Sequence, residues 1–116
     1  MTTITRLDQN ARRSRAVVHG DTVYLAGHTA DDCTADIAGQ TRQVLAKIDE
    51  MLAAAGSDKS RLLNVTIWLA DMADFAAMNT IYDAWVVPGE TPARCCGAVT
   101  LARPDIRVEI MVVAAR

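Results

Sequence analysis

The sequence predicts an α+β domain in which two helices pack on one face of a mixed β-sheet. Three observations lead to this prediction. Segments that are rich in β-branched residues and alternate in polarity occur near both ends of the chain and at residues 62–70. Two other segments place apolar residues at the three-four spacing of an amphipathic helix. The resulting order of strands, helix, strand, helix and strands fits two layers around one core.

Size and charge exclude several classes of protein. The chain has 116 residues and a formal net charge of -2, so we expect a single domain over residues 1–116 and no nucleic-acid partner. No apolar run is long enough to span a bilayer. Arginines between Arg6 and Arg15 also leave no apolar signal-peptide centre. We therefore expect a cytoplasmic protein with no membrane partner.

The cysteines and acidic residues do not form a recognisable metal or disulfide pattern. Cys95 and Cys96 are adjacent, and no cysteine has the CxxC or histidine spacing of a zinc site. Asp31 and Asp32 are expected to be solvated in a loop. We expect no bound metal and a reducing compartment.

The N-terminal region predicts antiparallel sheet followed by a helix. Residues 2–7 predict a weak strand and residues 8–15 a polar loop, whereas stronger strands at 16–19 and 22–26 flank a tight turn. The helix is expected to begin after the cap residue Asp36 and to end at Gly56. Its apolar face contains Ile37, Val44, Leu45, Ile48, Met51, Leu52 and Ala55.

The middle of the chain predicts a strand over residues 62–70 and a second helix. The helix is expected to begin at Asp71 or Asp74 and to end near Val86. Trp68 occupies the second face of the strand, and a chain with two helices cannot cover both faces of a sheet. We therefore expect that face to be buried against another subunit. The apolar positions are Leu63, Val65, Ile67 and Leu69 in the strand and Phe75, Met78, Ile81, Tyr82 and Trp85 in the helix.

The last quarter of the chain predicts an antiparallel hairpin, with strands at residues 94–99 and 106–113 broken near Pro104. Side-chain alternation places Glu109 on the face away from the core. If Arg94 lies opposite Glu109, their β-carbons are about 5 Å apart. The residues alone leave two interpretations open: an exposed ion pair worth about 0–1 kcal/mol, or a functional site.

The order of several short motifs favours a site. Pro92-Ala93-Arg94, Cys96 and Val108-Glu109-Ile110 resemble the C-terminal signature of the Rid family, the reactive intermediate (enamine/imine) deaminases, also called the YjgF family. The resemblance covers residues 17 to 113 in the family's order. It also includes Gly27-His28, Gln40-Thr41, the helix end at 52–56, residues 65–71, Asp74-Phe75, Asn79 and Tyr82.

The resemblance implies a fold, an assembly and an activity. The fold is the chorismate-mutase-like fold of Rid proteins, assembled as a homotrimer with a central barrel and clefts between subunits. The activity is hydrolysis of 2-imino or enamine acids to 2-oxo acids and ammonia, a form of metabolite damage control. Because such imines already react with water, positioning and electrostatic help suffice, and no metal or organic cofactor is expected.

The resemblance also assigns roles to individual residues. Arg94 matches the arginine that binds the substrate carboxylate, for which a planar guanidinium is suited. Glu109 matches the glutamate that orients or activates the attacking water. Cys96 and His28 match positions beside the substrate, with Cys96 as a wall of the pocket. The corresponding expectation from the residues alone is a buried cysteine and an ordinary strand-end histidine.

The sequence departs from the family pattern at three positions. Active imine deaminases carry a tyrosine in a Gly-Pro-Tyr segment where this chain has Arg13, and Gly97 and Thr100 are also atypical. These departures leave other functions open. A non-catalytic trimer could bind a small carboxylate metabolite through Arg94, an interaction module could need no ligand, and the same fold also supports other reactions.

Overall fold

The computed structural model describes residues 2–116. Six strands form one mixed sheet in the order β1-β2-β3-β6-β4-β5, and all neighbours are antiparallel except β4 and β5. Two helices cover one face of the sheet, so the predicted α+β architecture is confirmed. The elements are β1 (Ile4–Gln9), β2 (Ser14–His19), β3 (Thr22–Leu25), α1 (Ile37–Ala54), β4 (Leu62–Leu69), α2 (Phe75–Trp85), β5 (Ala93–Ala98) and β6 (Val108–Ala115).

Helix α1 has the boundaries that the sequence predicts. The side chain of Asp36 accepts a hydrogen bond from the Gly39 backbone N–H at 2.8 Å, which caps the first turn. Gly56 follows the helix with a φ of 82°, a left-handed conformation that favours glycine. None of the helices within residues 2–116 is long and apolar enough to cross a membrane.

The N-terminal strands form two successive hairpins. The turn at residues 20–21 between β2 and β3 is confirmed, with His19 opposite Thr22. The predicted loop over residues 8–15 is too long, because β1 continues to Gln9, which pairs with Ser14. The side chain of Asn10 closes the shorter turn by accepting hydrogen bonds from two backbone N–H groups.

Strand β4 differs from the predicted alternation at its first residues. Val65, Ile67 and Leu69 are fully buried, but Leu63 is 50% exposed while Leu62 is buried. The pairing of β4 with β6 is irregular between Leu62 and Asn64, and this irregularity reverses the faces at the start of the strand.

The predicted C-terminal hairpin is wrong. β5 pairs in parallel with β4, and β6 lies on the other side of β4, between β4 and β3. The alternation within β6 is confirmed, because Val108, Ile110 and Val112 are buried and the residues between them are not. A strand with such an apolar face gains most from a central place in the sheet, whereas the short β5, whose side chains are small apart from Arg94, lies at the edge.

The face of the sheet opposite the helices, here called the open face, carries several large side chains. In the cross-strand register, Tyr24 lies beside Val113, and Met111 lies beside Thr66. Tyr24 is 48% exposed, and Trp68 is partly exposed. The expectation that another subunit covers this face stays a prediction.

Candidate functional site

Arg94 and Glu109 lie on opposite faces of the sheet. Arg94 is in register with the buried Val65, which points toward the helices. Glu109 is in register with Trp68 on the open face. Two strand spacings and three residues separate the two positions, which places their Cα atoms about 14 Å apart. The separation of about 5 Å expected from a hairpin is therefore wrong, and one protomer does not bring the two side chains together.

The guanidinium of Arg94 rests on two aromatic rings of α2. Its Cζ lies 4.7 Å from the ring centroid of Tyr82 and 5.9 Å from that of Phe75. Both distances are within the range of cation–π attraction. No carboxylate within residues 2–116 forms a salt bridge with Arg94. The rings thus fix a guanidinium whose charge is not neutralised, an arrangement suited to a planar anion.

Cys96 lies on the same face as Arg94 and is in register with the buried Ile67. Burial raises the pKa of the Cys96 thiol, and the charge of Arg94 opposes this rise only in part. A neutral thiol is a weak nucleophile, and the expectation that Cys96 forms a wall of the pocket stays a prediction. Cys95 is exposed on the open face.

Asn79 is a polar residue of this region that the resemblance includes, although the predicted site residues did not. It lies on α2 one helical turn from both Phe75 and Tyr82, on the side that holds Arg94. Its Oδ1 is buried and has no hydrogen-bond partner within residues 2–116. Such an orphan acceptor is costly, which makes Asn79 a candidate ligand contact. In the sequence, the helical spacing of positions 75, 79 and 82 indicates that these three side chains share one side of α2.

The carboxylate of Glu109 lies against the backbone of Gly27. A Cβ added to Gly27 would stand 2.2 Å from Oε2 of Glu109, closer than any real contact. Only glycine therefore allows this position of the carboxylate. Glu109 forms no salt bridge with a basic side chain of residues 2–116, so its charge remains available.

His28 is buried beside Gly27 and has both ring nitrogens engaged. Its backbone forms a bridge with Ile110, through hydrogen bonds of 2.9 and 3.1 Å. Nε2 accepts a hydrogen bond from Nε of Arg15 at 3.3 Å, so Nδ1 carries the proton and donates to the carbonyl of Ala26 at 2.8 Å. Burial lowers the pKa of His28, and the nearby cations lower it further. His28 is thus a neutral structural support beside the candidate site.

A cavity of about 260 Å³ opens next to these residues. We call it the basic cavity because three cationic side chains line it. Its lining residues are Arg13, Arg15, Ala26, Gly27, His28, Thr29 and Lys47. Within residues 2–116, no cluster of His, Cys, Asp or Glu has an arrangement that could hold a metal ion.

A larger groove of about 380 Å³ lies elsewhere, between α1 and α2. There the indole N–H of Trp85 donates to both carboxylate oxygens of Asp49, at 3.0 and 3.1 Å. None of the predicted site residues lines this groove.

Comparison with known proteins gives consistent results. The family model described as "Endoribonuclease L-PSP" matches residues 3–116. The RutC family protein YoaB of Escherichia coli is 48% identical over 113 residues, which cover 97% of this chain and 98% of YoaB. Reactive Intermediate Deaminase A, a chloroplastic protein of Arabidopsis thaliana, is 35% identical over 87% of this chain and 57% of its own length.

Solved structures agree with the sequence comparison. A member of the YjgF protein family from Neisseria meningitidis superposes with a TM-score of 0.96 at 43% identity, covering 98% of this chain and 95% of that one. A protein from Pseudomonas aeruginosa gives the same TM-score at 44% identity, covering 98% and 99%. Fold, motifs and both comparisons lead to one conclusion: the chain belongs to the YjgF/Rid family.

Proposed function

We propose that the protein is a hydrolytic deaminase that converts reactive 2-imino or enamine acids to 2-oxo acids and ammonia. The observation that carries the proposal is the guanidinium of Arg94, which rests on Tyr82 and Phe75 and has no carboxylate partner within residues 2–116. Family membership supports the same reaction class, since one relative is named a reactive intermediate deaminase.

In this proposal each site lies in a cleft between two subunits of a homotrimer. Arg94 and Glu109 point away from opposite faces of one sheet, so a complete site needs Arg94 from one subunit and Glu109 from its neighbour. A cyclic assembly with head-to-tail contacts provides such a pairing at every interface. The partly exposed aromatic and aliphatic side chains of the open face supply apolar surface for the contact.

The proposed reaction needs only charge recognition and proton transfer. Arg94 binds the substrate carboxylate through paired N–H donors. Glu109 accepts a proton from a water molecule as that water adds to the C=N carbon, and it returns the proton to nitrogen. The hydroxyl proton of the resulting carbinolamine then passes to nitrogen, with Glu109 as the carrier, as the C–N bond breaks and the C=O bond forms, which releases ammonia and leaves the 2-oxo acid. Cys96 lines the pocket, and His28 supports the backbone beside Glu109.

The alternative function is a non-catalytic trimer that binds a small carboxylate metabolite in the same cleft. Arg13 is the observation that favours it, because the resemblance implies a tyrosine at this position in active imine deaminases. An RNA-cleaving activity, named in the description of the family model, is less well supported, since the formal net charge of -2 gives no general attraction for phosphates.

The first experiment generates 2-iminopropanoate with an amino-acid oxidase and traps the free imine with semicarbazide. We expect the wild-type protein to reduce trapping, and Arg94→Ala and Glu109→Gln to have lost this effect. Arg61→Ala and Glu90→Gln are matched controls at exposed positions. If wild type equals buffer with several imino acids but binds pyruvate through Arg94, the binding function replaces the deaminase.

A second experiment tests the shared site. We expect a mixture of Arg94→Ala and Glu109→Gln subunits, unfolded and refolded together, to regain activity that neither variant has alone. In a randomly mixed closed ring, about a quarter of the interfaces combine the two intact residues. Light scattering on the same samples gives the number of subunits. Failure to regain activity in mixed assemblies of confirmed mass would contradict the shared site.

A further inference from the structure

Carboxylates pair with two of the three basic side chains that line the basic cavity. Arg15 pairs with Asp8 at 3.3 Å, and Lys47 pairs with Asp31 at 2.9 Å. Arg13 has no carboxylate partner within residues 2–116. Nη1 of Arg13 donates to the backbone carbonyl of Asp8 at 2.8 Å, which fixes the direction of the side chain. Arg13 is therefore an oriented cation whose charge is free to meet an anion.

The anions around the cavity do little to cancel its positive potential. The side chains of Asp8 and Asp31 are 59% and 87% exposed, whereas those of Arg15 and Lys47 are 21% and 24% exposed. Water screens the exposed carboxylates more effectively than it screens the partly buried cations. Among the side chains that line the cavity or pair with its lining, the cations therefore dominate, and an anionic group beside Arg13 meets an attraction.

Gly27 connects this cavity to the proposed reacting position. Its backbone supports the carboxylate of Glu109 and also forms part of the cavity wall. Gly27 is thus the residue at which the Glu109 carboxylate and the cavity adjoin. The cavity, at about 260 Å³, is large enough for a carboxylate group and its solvating water.

We propose that the basic cavity is a subsite for a second acidic group, so that the preferred substrates are 2-imino acids with a carboxylate in the side chain. Arg94 takes the carboxylate next to the imine, and Arg13 takes the distal one. The turnover of these substrates rests on the proposed deaminase function. The class of ligand follows from two arginines that have no carboxylate partner within residues 2–116, one in each half of the site. The departure from the family tyrosine thereby becomes a determinant of specificity.

The test compares kcat/KM for 2-iminosuccinate, generated from aspartate, with kcat/KM for 2-iminopropanoate, generated from alanine. For the wild type we expect a ratio of about ten or more in favour of the diacid. Arg13→Gln should reduce that ratio about tenfold, and Arg13→Lys should restore most of it because it keeps the charge. Arg12→Gln, an exposed neighbour outside the cavity, should leave the ratio as it is. A wild-type ratio near one, or a ratio insensitive to Arg13→Gln, overturns the subsite.

Binding measurements separate this inference from the deaminase proposal. Calorimetry with oxaloacetate and pyruvate needs no turnover, and we expect oxaloacetate to bind at least tenfold more tightly in a manner that depends on Arg13. If neither imine is hydrolysed but this preference holds, the reaction fails and the subsite stands. If both imines are hydrolysed equally and both oxo acids bind equally, the reaction stands and the subsite fails.

Discussion

Glu109 and Gly27 are in such close contact that the two positions constrain each other. A methyl group on Gly27 would meet Oε2 of Glu109 at 2.2 Å, so the position of the carboxylate depends on the absence of a side chain at residue 27. Glycine is thus required at residue 27 by the position of the Glu109 carboxylate, and not by a turn or a left-handed backbone.

Gly27→Ala is expected to displace the Glu109 carboxylate and to lower kcat for imine hydrolysis about tenfold or more, because small displacements of a reacting group are costly. Gly97→Ala is the matched control, since a Cβ there meets no atom within 4 Å in the protomer. Both variants are first compared with wild type by light scattering. Full activity in Gly27→Ala would show that the observed position of Glu109 is not needed.

Tyr82 is expected to affect substrate binding through Arg94. Tyr82→Leu removes one of the rings beneath the guanidinium, and a cation–π contact of about 1 kcal/mol corresponds to roughly a fivefold rise in KM. Tyr82→Phe keeps the ring and should keep KM close to wild type. If Phe and Leu raise KM equally, the hydroxyl matters and the ring does not.

His28 predicts a pH dependence of stability. Its pKa is lowered by burial in the folded protein, so below the unfolded value of about 6.5 the unfolded chain binds more protons. The free energy of unfolding should therefore fall as the pH is lowered from 7 to 5. His28→Asn offers an amide N–H in place of Nδ1–H and should flatten this dependence, whereas His19→Asn, at an exposed position, should retain it. Urea titrations at each pH measure the difference.

Replacing Asn79 is expected to raise the stability of the protein and to lower its activity. Asn79→Leu replaces a buried acceptor without a partner by an apolar group of similar size, which should raise the thermal midpoint by a few degrees. If Oδ1 contacts the ligand, kcat/KM falls in the same variant. Thr80→Leu, on the exposed side of α2, serves as the control for helix propensity. A lower midpoint for Asn79→Leu would mean that the acceptor is satisfied in solution.

Local patterns predicted much of the fold correctly. Helix α1 begins beside Asp36, whose side chain caps the first turn, and ends beside Gly56, whose backbone can adopt the left-handed conformation. The alternation in β6 likewise identified Glu109 as pointing away from the core. These features depend on residues within a few positions of one another.

The partners of the C-terminal strands depend on distant parts of the chain and were not predicted. Alternation shows which residues of a strand share a face, but not which strand lies beside it. Because β6 lies between β3 and β4 and does not pair with β5, Arg94 and Glu109 are not neighbours across two strands, as the hairpin would have made them. Arg13 was assigned to a structureless loop because nothing local shows that the turn of residues 10–13 brings it beside Gly27.

The opposite orientations of Arg94 and Glu109 have a consequence for how activity depends on protein concentration. In the proposed trimer each subunit contributes one half of two different sites, so catalysis belongs to the contacts between chains rather than to the chains themselves. Dilution below the dissociation constant of the assembly would abolish turnover even where the separated protomers keep their fold. Specific activity would then rise with enzyme concentration before reaching a plateau, and the midpoint of that rise would report the strength of subunit association.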